Sequence, residues 1–70
     1  MTLEAFSALF QSNIRVKIYE PGDLEEAVET GDLSCILADA PAYEKRVIAK
    51  IEPHIFGTYK PFFEITLQSA

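Results

Sequence analysis

Seventy residues with 49% apolar side chains suffice for one small folded domain, spanning 1–70, and leave no room for a second. Eleven acids against six bases give a net charge of −5, the wrong sign for a protein that grips nucleic acid through its phosphates. No apolar run approaches the ~18–20 residues of a membrane span, no basic region precedes an apolar stretch at the N-terminus, and the single cysteine, Cys35, has no internal partner; a chain working in a reducing cytoplasm is expected.

In chain order, Thr2 is a good N-cap, and Leu3, Phe6, Leu9 and Phe10 fall on one helical stripe with Glu4 in the first turn. This predicts a helix over about 3–11, closing at Ser12 and Asn13. The period then changes. Ile14, Val16 and Ile18 alternate with Arg15, Lys17 and Tyr19, the pattern of a strand with one buried face, and Pro21-Gly22 stops it. Asp23 followed by Glu26 resembles a capping box, with Leu24, Ala27 and Val28 on one face and Gly31 placed to end a helix. A single helical turn and a second hairpin strand both fit residues 23–30, the helix slightly better.

Leu33 to Ala38 is a short apolar run, read as a strand. Asp39-Ala40-Pro41 starts a helical turn that runs through Lys45, with proline in its first turn where the missing N–H costs nothing. Arg46 to Glu52 sets Val47, Ala49 and Ile51 against Ile48, Lys50 and Glu52. Phe62 to Gln68 sets Phe63, Ile65 and Leu67 against Phe62, Glu64 and Thr66. Pro53, Gly57 and Pro61 between them suit a hairpin with a wide loop. The predicted class is α+β, an N-terminal helix packed on a small, mainly antiparallel sheet of three to four strands.

The catalytic inventory is thin. Phosphate-loop, dinucleotide, paired-cysteine, zinc-protease and serine-elbow motifs are all missing, and Asp23-x-Glu25 fails as a calcium loop because Ala27 stands where an oxygen ligand belongs. His54 is the one imidazole and the one candidate general base near neutral pH; it is read as a surface side chain and Cys35, in an apolar strand, as a small inert hydrophobe, with a small enzyme using His54, Cys35 or a carboxylate pair as the lesser alternative. One His and one Cys are too few for a tetrahedral metal site. No catalytic residue, metal or cofactor is assigned, and the expectation is a protein that is not an enzyme. Below about 70–80 residues a single core rarely supplies more than ~3–5 kcal/mol, so with neither disulfide nor metal the expected supplement is association with a second copy or a target.

Charge carries more information. Between Ile18 and Glu44 lie eight acids and no Lys or Arg, while the rest of the chain is net basic. Glu20, Asp23, Glu25, Glu26, Glu29 and Asp32 are the candidate contacts to a cationic partner, and such a cluster speeds encounter with a basic surface. A solvated segment that only keeps the protein soluble is the plainer alternative. Tyr19, Ile48, Phe56, Tyr59 and Phe62 fall on the far face of the sheet or in the last loop, with Tyr59 and Phe62 as candidate aromatic anchors. Either they form an exposed apolar patch or the turn carrying Tyr43 folds over them.

The opening T-L-E-A-F-S-A-L-F-Q-S-N-I-R-V-K-I-Y-E, the central D-A-P-A-Y-E-K-R-V-I-A-K-I-E-P and the closing F-F-E-I-T-L resemble small uncharacterised phage and prophage proteins of Gram-positive bacteria. Ala40 stands where that group usually has Ile, and residues 20–32 depart from its pattern. The resemblance implies a phage origin and carries over no activity and no functional residue. Size and charge are also similar to those of anti-CRISPR proteins, an analogy of physical style. The resulting expectation is a protein-binding inhibitor of a host defence complex, such as a CRISPR effector with its Lys- and Arg-rich channels, without direct nucleic-acid or membrane binding. The alternative expectation is a self-assembling structural or accessory phage protein.

Overall fold

A computed structural model describes residues 1–11, 13–54 and 61–69. Thr2 is extended and its hydroxyl accepts the Ala5 N–H at 3.1 Å, so helix α1 starts at Leu3 and runs to Ser7. It is shorter than its apolar stripe. The next turn tightens to Leu9 N–H→Phe6 O and Phe10 N–H→Ser7 O bonds, and Leu9 is left 65% exposed.

Strand β1 (Arg15–Tyr19) buries Val16 and Ile18, as its alternation requires. Residues 23–28 form neither helix nor strand. The Asp23 carboxylate accepts the N–H groups of Glu25 and Glu26, and the chain enters β2 (Glu29–Asp32) after Val28 N–H bonds Ile18 O at 2.8 Å. The helix favoured for residues 23–30 does not form, and the hairpin strand begins only at Glu29 and runs to Asp32. Gly31, expected to end a helix, instead sits inside β2 opposite Val16 with φ +140.

The apolar run after Asp32 is a helix, α2 (Leu33–Asp39), which corrects the strand expected there. Leu33, Ile36 and Leu37 share one helical face, with Leu33 and Ile36 buried and Leu37 packed against them. A short 3₁₀ helix (Pro41–Lys45) follows where Pro41 predicts a turn. Strands β3 (Ile48–His54) and β4 (Phe62–Leu67) pair antiparallel, again as expected. The alternation in β3 is reversed at its start, however. A register shift between Ile48 and Lys50 turns Ile48 onto the core side with Ile51, while Val47 is 39% exposed.

The sheet order is β2-β1-β4-β3, with antiparallel outer pairs and a parallel central pair β1–β4. Val16, Ile18, Ile65 and Leu67 from the two central strands meet Leu3, Phe6, Leu33 and Ile36 from the helices in one core. Phe6, Phe10 and Phe63 close its edge through ring contacts of 5.1–5.8 Å. Tyr43 packs against this same core, so the 3₁₀ helix does not cover the far face. No described helix is long and apolar enough to cross a membrane.

Candidate functional site on the open face of the sheet

With all the helices on one side, strand alternation sends the intervening residues to the other. Register places Lys17 opposite Glu64 and Glu64 opposite Glu52, with Arg15, Phe62 and His54 in the row on one side and Tyr19, Thr66 and Lys50 in the row on the other. The expected apolar patch is thus a polar face with two half-buried aromatics, Tyr19 and Phe62. Ile48 is absent from it for the reason given above, and Phe56 and Tyr59 lie outside the described residues.

His54 is half-buried at the centre of a network. Its ring stacks on Phe62 (centroids 5.0 Å, interplanar angle 12°), and Lys17 Nζ sits 5.2 Å from the same Phe62 ring. Nε2 of His54 faces Glu64 Oε1 in direct contact and lies 3.9 Å from Glu52 Oε2. Lys50 pairs with Glu52 at 2.5 Å, which holds the Glu52 carboxyl below the usual carboxylate range, by hydrogen bond first and by charge second. Tyr19 hydrogen-bonds Glu64, and that bond, with burial and the negative charge, raises its phenol above the ordinary value. A hollow of about 160 Å³ opens beside the network, lined by Tyr19, Leu24, Lys50, Glu52, Glu64 and Thr66.

The sequence pointed to neither Glu52 nor Glu64 as a functional residue. Glu52 and His54 lie two apart, so a strand puts them on one face, but only the hairpin register brings Glu64 between them. His54 is accordingly no isolated surface imidazole. Cys35 is exposed on α2 rather than buried in a strand.

The expected acidic contacts occupy three different environments. Arg46 clamps Glu20 at 2.9 and 3.1 Å, so that carboxylate is neutralised within the chain. Asp23, Glu25 and Glu26 share the exposed loop together with Leu24 (62% exposed) and Val28 (41% exposed). Glu29 and Asp32 are half-buried at opposite ends of β2, about 10 Å apart at strand rise, with Asp32 opposite Arg15. Among the described residues, Asp23, Glu25, Glu26, Glu29 and Asp32 form no ion pair with a lysine or arginine of the chain. Of the two expected aromatic anchors, Phe62 lies beneath His54, and Tyr59 is outside the described residues.

Compared with protein-family models, curated proteins and solved structures, the chain matches none.

Proposed function

We propose that this protein is a non-enzymatic protein-binding module that docks the loop 23–29 onto a cationic surface of its partner. The observation that carries this reading is the loop's composition and setting. Asp23, Glu25, Glu26 and Glu29 are interleaved in sequence with the exposed Leu24 and Val28, and none of the four is ion-paired with a lysine or arginine among the described residues. An interface uses both kinds of side chain, because apolar contacts inside a charged rim supply affinity while the charges steer encounter.

The narrower form of the proposal is inhibition by occupancy of a basic channel in a host defence complex, as in a phage protein acting on a CRISPR effector. Its support is the sequence resemblance together with small size and negative charge. Self-assembly through the open face has less behind it, because that face carries Lys17, Lys50, Glu52 and Glu64 rather than an apolar patch.

The test is pull-down of a purified RNA-guided effector, with and without its guide, at two salt concentrations. Binding should weaken with salt and be lost in a Glu25→Lys, Glu26→Lys, Glu29→Lys variant. Equal capture of parent and variant at both salts would reject the electrostatic dock. Absence of capture in all conditions would reject the defence-complex form.

A further inference from the structure

We propose that Glu52, His54 and Glu64 form a binding site for a divalent transition-metal ion, with Zn²⁺ the best-suited cation. Each residue offers one ligand atom, and the three atoms lie within 4.8 Å of one another. Ligands bound at about 2 Å around a tetrahedral ion stand roughly 3–4 Å apart, so small torsions of two glutamate side chains close the remaining gap. One nitrogen and two carboxylate oxygens suit zinc and its neighbours, whereas calcium and magnesium prefer oxygen alone.

The backbone fixes this arrangement. Glu52 and Glu64 are direct cross-strand partners in the β3–β4 ladder, a placement in which like charges repel unless a cation sits between them. The His54 imidazole leans over that pair with Nε2 toward both carboxylates. Its plane is held by the stack on Phe62, which leaves it little freedom to lose when a metal binds. Outer partners complete the picture. Tyr19 lines the same hollow as Glu64 and Lys50 holds Glu52, the kind of support that orients ligands in metal sites.

Three protein ligands leave a tetrahedral ion one further position, and the hollow lined by Tyr19 and Leu24 lies beside Glu52 and Glu64. A water or a partner's side chain can take that position. The proposal stands on the open-face geometry and is independent of the loop dock argued above.

The chain has one histidine, so its imidazole resonances report on this site without ambiguity. The experiment titrates ZnCl₂ into the full chain carrying Cys35→Ser, which removes the exposed thiol as a competing ligand, and reads calorimetry and imidazole ¹⁵N shifts together. Expected are saturable one-to-one binding, a metal-induced shift of the His54 Nε2 resonance, and loss of both in His54→Gln and Glu64→Gln. Tyr19→Phe should weaken binding while leaving the stoichiometry intact. No saturable binding, or binding that leaves the imidazole resonances unmoved, would overturn the site. So would binding that survives His54→Gln in a variant whose circular dichroism is unchanged; should that variant unfold, the parent's imidazole shifts decide alone.

Discussion

Arg46 and Glu20 meet as a planar, two-pronged ion pair, Nη1 to Oε1 at 2.9 Å and Nη2 to Oε2 at 3.1 Å, and the same Nη2 also donates to the Gln68 carbonyl at 3.2 Å. Glu20 follows the end of β1, Arg46 precedes β3 and Gln68 follows β4, so one guanidinium ties three chain segments at a single end of the sheet. A glutamate that the sequence offers as a partner contact is therefore part of the scaffold.

Removing that clamp should destabilise the fold rather than alter binding. Both side chains are partly shielded, so Arg46→Ala should cost about 1–2 kcal/mol in urea unfolding. Arg46→Lys should recover only part, since a single ammonium cannot reproduce the fork. Glu20→Gln should lower stability in the same direction. An Arg46→Ala midpoint equal to that of the parent would show the pair to be without net effect.

Ile65 and Ile18 are paired neighbours on the two central strands, both fully buried. Ile65→Ala removes packing at the middle of the core and should cost about 2–5 kcal/mol. A chain of this size has a comparable total stability, so the variant should be largely unfolded at room temperature by circular dichroism. Ile65→Val should stay folded, about 0.5–1.5 kcal/mol weaker.

Gly31 tests the backbone separately from packing. Its φ of +140 is one that L side chains rarely adopt, yet a β-carbon built there meets nothing within 4 Å. Any loss on Gly31→Ala is thus conformational, about 1–3 kcal/mol, and should appear as a lowered urea midpoint. Gly22→Ala also meets nothing within 4 Å and has no positive φ, so it should change stability far less.

These positions also show how much of the fold was legible in the residues. Strands β1 and β4 announce themselves because Val16, Ile18, Ile65 and Leu67 alternate against polar neighbours, and Thr2 and Pro41 mark helix starts through local chemistry. Leu33–Asp39 could not be settled locally, since an apolar run of that length fits a buried strand as well as a buried helix face. Glu29–Asp32 has no strand composition at all; Glu-Thr-Gly-Asp is extended because β1 offers it an edge. The metal-ligand cluster was less legible. Glu52 and His54 share a strand face by their spacing, but only long-range register brings Glu64 to them, and with His and Cys alone weighed as ligands none of the three was singled out as one.

Glu44 of the 3₁₀ helix shares a hydrogen bond with Glu4 in the first turn of α1, which raises its carboxyl above the usual range, with burial and the charge of Glu4 adding to the effect and Lys45 opposing it. A raised carboxyl holds its proton more tightly in the folded chain. Its contribution to stability is therefore full in acid and is lost as pH rises through the carboxylate range. Glu44→Gln keeps a hydrogen-bonding group and removes the repulsion. Its Tm should exceed the parent's at pH 7, and the difference should vanish near pH 3. An equal difference at both pH values would exclude this pair as the cause.

The opposite end of the pH scale tests the open face. Tyr19 donates to Glu64, and its phenol is raised by that hydrogen bond first, then by burial and the carboxylate charge. The folded state thus holds this proton more tightly than the unfolded chain does. The bond contributes fully below the ordinary phenol value near 10, and the contribution disappears as pH climbs through the higher folded value. Ultraviolet titration of the chain's three tyrosines should then show Tyr19 ionising late, and Tyr19→Phe should remove that late step. Glu64→Gln should move it down toward the ordinary range, because the neutral amide neither repels the phenolate nor accepts as strongly. If Glu64→Gln leaves the alkaline titration unchanged, Glu64 is not the group that holds Tyr19, and the outer support assigned to the metal ligand Glu64 falls with it.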